Sequence, residues 1–547
     1  MRKNYKKLSV LLAMSLVLTA CNKSENSNEN ANSATEEVAE NSTASDDSID
    51  IKNTERITDT EINLSDFHGN IEISKGGEYH VSGNLSEGLL YIKTEEPVTL
   101  NLDNASIESP EGPAVYVRKA ESVTVRLAEG SKNTLSDIAD TKYETLNAVI
   151  YSKSDITFEG KGSLTIDAQY QHGIRGKDNV VITEGDYDME AALDCIHAND
   201  DLNIDGGQLK LQSNGDECMQ SETNLNINGG KLTCASAGDA IRSEESLVVN
   251  DGRIEVTQAT EGLESKNTLE INGGELKITC SDDSINGANA VTVNDGTIVA
   301  YSTTNDVLDS NGSMVINGGN IYGVGLKTPE GVFDCDHNNF EINGGTLLGL
   351  GASSSQPNKG EQPTLLVNPE ITDTIETLKI KDNKGNVIYE CEFNDYSKVL
   401  SEISTELQDN ASVNANASTE KEDDTDFEGQ TENGEQNGDV PESGQMPERG
   451  QKPDKEFSRE ELSEEELEAM REKMEERKET MGENNFHKGG MGGMSNGAAN
   501  LFISNDNLKK GKTYTIFVNG KKIGKVKMES PVTTLGNVFS MGGRGGW

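Results

Sequence analysis

Carboxylates recur along the middle of this chain at a spacing that suits cation chemistry. Asp194 follows Ile182, the start of a short Gly-turned segment, and Asp216, Asp239, Glu261 and Asp283 follow Ile204, Ile227, Val249 and Ile271 at the same offset. The next such position is Asn305, with Asp306 beside it. If the segments stack as neighbouring strands, these like charges fall ~4.8 Å apart. They then repel by roughly 1 kcal/mol per pair in water, and by about 3–4 kcal/mol at an effective dielectric of 20. Such a column must be hydrated, hydrogen-bonded by turn amides, or bridged by a cation. Calcium suits the last case, because it takes about six to eight oxygen ligands in flexible geometry. The expected metal ligands are Asp194, Asp216, Asp239, Glu261, Asp282, Asp283 and Asp306, with Asp282 and Asp283, facing Glu261 and Asp306, as the densest group. The competing explanation is structural: single Asp residues make Asx-type hydrogen bonds at a solvated turn.

The elements that would position this column are written in a repeat. ITEGDYDM (182–189), IDGGQLKL (204–211), INGGKLTC (227–234), VNDGRIEV (249–256), INGGELKI (271–278), VNDGTIVA (293–300), INGGNIYG (316–323) and INGGTLLG (342–349) align without gaps, and their starts advance by a nearly constant step. Each alternates apolar and polar positions on both sides of a Gly-rich corner, which is strand behaviour and leaves no room for a helix. A unit this small cannot bury its apolar face alone, but stacked units can. The expected fold is all-β, a parallel β-helix. About 290 residues at roughly 23 per coil give about 12 coils and a rod on the order of 60 Å long. The Asn column at 228, 250, 272, 294, 317 and 343 precedes each corner, where Asn stacks amide on amide and Gly supplies positive φ; it needs no further role.

Composition narrows the function. The chain has 547 residues, 95 acidic against 48 basic, and a net charge of −47, so its field repels polyanions and excludes a nucleic-acid partner. Arg2, Lys3, Lys6 and Lys7 followed by apolar Leu8–Leu18 read as an export signal. It ends in Leu18-Thr19-Ala20-Cys21, the pattern of a bacterial lipobox, which predicts lipidation at Cys21 and anchoring to the outer face of the cytoplasmic membrane. Residues 22–50 hold too little apolar surface to fold and form a tether. The six other cysteines, at 195, 218, 234, 280, 335 and 391, match no metal-knuckle spacing. They are expected as mostly buried stacked thiols, with Cys195 and Cys218 the first pair to test for a bond.

Beyond the repeat, LLVN, TLKIKD, NVIYECEF, LFISND, TYTIFVNG and KKIGKVKM predict antiparallel strands that cap the last coil. Lys509, Lys510, Lys512, Lys521, Lys522, Lys525 and Lys527 make that end basic, as a solvated edge. Residues 408–497 are acidic, then Gly/Met-rich, and predict a disordered insertion with one transient helix begun by the Ser463/Glu466 capping box. The expected organisation is a signal at 1–20, a tether at 21–58, the β-helix at 59–356, a cap from 361–407 and 498–536, and the insertion at 408–497.

From Ser65 to Gly349, NLDNASIESPEGPAVYV, LAEGSKNTLSD, AVIYSKSDITFEGKGSLTI, HGIRGKDNVVI and the INGG units resemble the bacterial carbohydrate-binding domain family, and the likeness continues into FISNDNLKKGKTYTIFVNGKKIG. The resemblance implies a right-handed, polysaccharide-lyase-like β-helix that binds calcium and plant cell-wall polysaccharide, here as a monomer. The acidic turn departs from the family's Gly-Asp-Gly-Ile pattern at Asp194-Cys195 and Glu217-Cys218, and stays nearer it at Asp239-Ala240-Ile241 and Glu261-Gly262-Leu263. A lyase would need a positioned Arg or Lys base. Arg175, Arg242 and Lys266 are scattered, no Arg-x-Pro-x-x-Arg string occurs, and no single coil breaks the pattern, so no catalytic residue is assigned. Two alternatives stand beside binding: a lyase acting on uronate polymers, and an adhesive spacer without a ligand.

Overall fold

The computed structural model describes residues 49, 51–325, 331–337, 339–370, 375–392, 500–529 and 531–538. The signal, Cys21, most of the tether and the 408–497 insertion with its candidate helix lie outside the described residues. Among those described, the fold is all-β, with sheets of 13, 26 and 4 strands and one short 3-10 turn at Leu64–Asp66.

Each coil lays down three strands. Leu202–Ile204, Gln208–Ser213 and Met219–Ser221 form one such coil. Each strand pairs in parallel with its equivalent in the next coil, with Leu202 opposite Leu225, Leu209 opposite Leu232, and Met219 opposite Ile241. Alternation explains the core: in Gln208–Ser213 every second residue is buried. Leu209, Leu232, Ile254, Leu276, Ile298, Ile321 and Leu347 thus stack through the rod, none more than 2% exposed. The result is the parallel β-solenoid expected from the repeat.

The corners repeat as expected. Asn250 donates through Nδ2 to Asn228 Oδ1 at 2.7 Å, Asn272 to Asn250 at 2.9 Å, Asn294 to Asn272 at 2.7 Å, Asn317 to Asn294 at 2.8 Å, and Asn343 to Asn317 at 2.9 Å. Asn228 starts this ladder by donating to Asp205 at 2.7 Å. The glycine that ends each four-residue corner takes positive φ; at Gly274, φ is +89° and an added Cβ would lie 2.8 Å from the carbonyl oxygen of Gly252.

The 13-stranded sheet is built from very short strands, among them Ile196–Ala198, Met219–Ser221, Ile241–Ser243, Leu263–Ser265, Ile285–Gly287, Leu308–Ser310 and Phe333–Cys335. Their first residues face the core, so their second residues line the opposite face. All six described cysteines are free thiols; five are buried, Cys391 is partly exposed, and Cys195 and Cys218 are not bonded.

The last coil is closed by chain from far downstream. Asn500–Ser504 pairs antiparallel with both Thr346–Gly351 and Thr364–Val367, and Val532–Leu535 adds in parallel to the latter. Val387–Glu392, Thr377–Asp382, Thr513–Val518 and Lys521–Lys527 form the four-stranded antiparallel sheet. A second apolar cluster, including Leu348, Leu365, Leu378, Ile503 and Ile516, fills this end.

Candidate cation-binding column

The strand register sets the acidic column. Ile196, Met219, Ile241, Leu263, Ile285 and Leu308 are successive partners. The residues two before them, Asp194, Glu217, Asp239, Glu261, Asp283 and Asp306, therefore stand at equivalent places on successive coils. Asp216 does not hold the place expected of it. The unit that begins at Ile204 carries one more residue than the unit before it, so Glu217, only 1% exposed, takes the ladder position while Asp216 sits just ahead. Asp282 likewise immediately precedes Asp283 and is partly exposed.

Turn amides occupy one oxygen of several of these carboxylates. The Glu217 N–H donates to Asp194 Oδ1 at 3.0 Å, Glu261 N–H to Asp239 Oδ1 at 3.1 Å, Asp306 N–H to Asp283 Oδ1 at 2.9 Å, and Gly331 N–H to Asp306 Oδ1 at 2.7 Å. These are bonds from one coil to the amide of the next, 22 to 25 residues along the chain, rather than the local Asx-type bonds of a single turn. The second oxygen of Asp194 faces His172 and His197, and that of Asp239 faces Arg242.

A second column, three positions further along the chain, lines the outward face: His197, Gln220, Arg242, Glu264, Asn286, Asp309 and Asp334. These residues were not among the expected ligands, although the i, i+3 pairs Asp239/Arg242, Glu261/Glu264, Asp283/Asn286 and Asp306/Asp309 are legible in the sequence. Charge divides the two columns. In the Asp239 coil, the Arg242 guanidinium lies 3.4 Å from Glu217 Oε1, 4.0 Å from Asp239 Oδ2, 2.7 Å from Glu244 Oε1 and 3.5 Å from Glu264 Oε2. Lys266 contacts Glu264 from the other side. These are built-in cations.

The next coils offer none of comparable placement among the described residues. Burial, then Glu264, Asp239 and Asp283, push the Glu261 carboxyl up to about 8. Burial followed by Asp309 pushes Asp283 up to about 8, and burial followed by Asp334 and Asp306 does the same to Asp309. Asp239, beside Arg242, rises only to about 6, with burial the main cause. Asn286 gives its Nδ2 to Glu261 Oε2 at 3.1 Å, and its Oδ1 is buried with no hydrogen-bond donor. Carboxylates and an unused amide oxygen are donors of the type calcium takes rather than a softer ion, although among the described residues three carboxylates come within 4.8 Å of one another only at Asp194, Asp216 and Glu217.

The three tyrosines stacked on successive coils do not form an open platform. Tyr91, Tyr116 and Tyr151 occupy the outward column of earlier coils, with ring centroids 5.5 and 5.9 Å apart, yet are 1%, 0% and 0% exposed. Tyr79 and Tyr187 belong to the solenoid core.

Known proteins share parts of this chain. Residues 68–325 match the model of a family described as carbohydrate-binding domain-containing protein. A carbohydrate-binding domain-containing protein of Acetivibrio thermocellus is 34% identical over 135 residues, which is 23% of this chain; the chain spans about half, 47%, of that relative's length. A solved structure, that of the polysaccharide lyase-like protein from C. thermocellum in a gadolinium derivative, shares 25% identity. It covers 45% of this chain and 87% of its own, at a TM-score of 0.30.

Proposed function

We propose that this chain, residues 68–325 of which match the carbohydrate-binding domain family model, is a non-catalytic polysaccharide-binding protein that holds calcium on the coils of Glu261, Asp283 and Asp306. That match supports polysaccharide as the partner in general terms. The register that stacks Glu261, Asp283 and Asp306 on successive coils supports the calcium reading, and burial with neighbouring carboxylates, which pushes Glu261, Asp283 and Asp309 up to about 8, agrees with it. Asp309 and Asn286 join the expected ligands Asp239, Asp282 and Asp306 around them.

Uronate polymers are the favoured ligand class. A chain of net charge −47 repels a polyanion, and calcium held between protein and sugar carboxylates reverses that sign locally. Neutral glucans dock mainly by stacking on rings, and the aligned tyrosines here are buried. The absence of catalysis is supported by the cations themselves: Arg242 is held among four carboxylates and Lys266 by Glu264, which leaves neither placed as a base. Lipidation of Cys21 and display at the cell surface complete the reading.

The test is retention of the full chain on polygalacturonate with calcium and with chelator. Calcium-dependent retention is expected, with Asp283→Asn/Asp309→Asn weakening it at least about 10-fold, equal to ~1.4 kcal/mol. Retention that survives chelation, in protein whose circular dichroism is unchanged, sinks the calcium reading. Release of unsaturated uronides would select the lyase instead.

A further inference from the structure

At the upstream end of the column the chemistry changes from oxygen to nitrogen. His172 begins the strand His172–Gly176, and Ile196–Ala198 is its partner, with Ile174 opposite Ile196 and Arg175 opposite His197. This register sets His172 beside Asp194, with His197 one rung along on the outward face. Asp194 Oδ2 lies 3.2 Å from His172 Nδ1 and 2.7 Å from His197 Nδ1. Two imidazoles on successive coils therefore present the same ring nitrogen to one carboxylate oxygen. His172, Asp194 and His197 are 5%, 1% and 6% exposed, and the rings converge at 56° with centroids 5.2 Å apart.

We infer that His172 Nδ1, Asp194 Oδ2 and His197 Nδ1 form a site for a zinc-class divalent ion, distinct from the oxygen-lined calcium stretch downstream. One ligand atom from each of the three residues lies within 4.8 Å of the others. For metal–ligand bonds of about 2.0–2.1 Å in tetrahedral geometry, neighbouring ligand atoms stand about 3.3–3.4 Å apart, so the 3.2 Å from Asp194 Oδ2 to His172 Nδ1 already suits an ion and the 2.7 Å to His197 Nδ1 needs the carboxylate to move outward. Imidazole nitrogen suits zinc and its neighbours and is foreign to calcium, which takes oxygen.

The surroundings are those of a supported ligand set. Glu222 Oε1 lies 3.3 Å from His197 Nε2 without the alignment of a hydrogen bond, so it is the charge of the carboxylate that favours a proton on the far nitrogen and a lone pair at Nδ1. Asp194 Oδ1 is occupied by the Glu217 N–H at 3.0 Å, which leaves Oδ2 for the ion. Hydrogen bonding serves the His197 side, where Nδ1 lies 2.7 Å from Asp194 Oδ2, but serves His172 poorly. The Asp194 N–H points at His172 Nδ1 from 3.4 Å, which asks for a lone pair on that nitrogen. With the lone pair present, His172 Nδ1 and Asp194 Oδ2 are two acceptors 3.2 Å apart, an approach that costs energy unless a cation or proton lies between them. Arg175, opposite His197, opposes a cation here. Asp194 with Asp216 and Glu217, whose carboxylate oxygens cluster within 4.8 Å, and Glu222 offset it. A bound ion would cross-link two neighbouring coils through their side chains.

The experiment uses the full chain stripped by chelator and titrated with Zn2+, and with Co2+ as a spectroscopic probe. Uptake of one ion per chain is expected, with the intense visible absorption of a low-coordinate Co2+ site that Zn2+ displaces and excess Ca2+ does not. His172→Gln and His197→Gln should each weaken Zn2+ by more than about 100-fold, and Glu222→Gln by about 10-fold, as an outer-shell change does. Asp283→Asn/Asp309→Asn should leave Zn2+ binding unchanged, which separates this site from the calcium stretch. X-ray absorption at the zinc edge of the unsubstituted protein should show imidazole scattering, and this holds whether or not the variants fold. The inference is overturned by any of three results: no stoichiometric Zn2+ uptake by folded protein, uptake unchanged in His197→Gln, or an edge spectrum without imidazole.

Discussion

A carboxylate at a solenoid turn is an acceptor for the amide of the next coil before it is a charge. Asp137 shows the first role without the second column to complicate it. Its Oδ1 accepts the Gln169 N–H at 2.7 Å and the Tyr170 N–H at 3.3 Å, and the residue is 3% exposed. Burial pushes its pKa up to about 6 despite these bonds. A folded-state pKa raised above the unfolded value means that the native chain holds the proton more tightly. The corresponding stability is fully present below about pH 4 and is lost as pH rises through about 6. Asp137→Asn keeps an acceptor oxygen and removes the charge. We expect it to stabilise the protein by about 2 kcal/mol near pH 8 and by almost nothing near pH 4, as read from urea unfolding at the two pH values. An equal effect at both would show that Asp137 is not protonated in the native state.

At the scale of the coil, backbone shape matters more than the amide ladder that accompanies it. Gly274 combines φ of +89° with a close approach to the Gly252 carbonyl, so Gly274→Ala carries left-handed strain of about 1–2 kcal/mol plus a steric conflict. Asn272→Ala removes the bonds to Asn250 and from Asn294, but on a wet surface, and should cost about 1 kcal/mol. Thermal unfolding of the two variants should therefore rank Gly274→Ala as the more damaging. The reverse order would make the amide ladder, rather than the corner, the main restraint on coil geometry. The repeat made the Asn–Gly corners legible in the sequence. It misplaced Asp216 because a fixed offset from the corner fails wherever a unit lengthens, as the one beginning at Ile204 does. Pairing in the following strand, not distance from the preceding corner, decides which side chain enters the column.

At the scale of the whole molecule, a stack of parallel strands ends in an open edge unless something covers it. Here the cover is Asn500–Ser504, which runs antiparallel along Thr346–Gly351 and places Phe502 against Phe333 at 4.6 Å between ring centroids. All of Thr346–Gly351 beyond its first residue is buried. A chain ended before Asn500 would expose that edge as a template for pairing with a second copy. Light scattering should show concentration-dependent growth of the truncated chain beyond that of the full one. Scattering that matches the full chain would mean that the 353–367 segment closes the rod by itself.

The sequence by itself determined that this chain coils. A unit too short to bury its own apolar side chains, repeated again and again at almost constant length, has no better option than to stack on its neighbours. It also determined that carboxylates gather on one corner, since any feature fixed within the unit becomes a column in the stack. Tertiary structure decided how each charge is answered. Asp194 meets two imidazoles and Asp239 meets Arg242, while Glu261, Asp283 and Asp309 meet chiefly other carboxylates and an amide. Those neighbours lie a coil or more apart in the chain, or three positions along it, and only the register between coils brings them within a few ångströms.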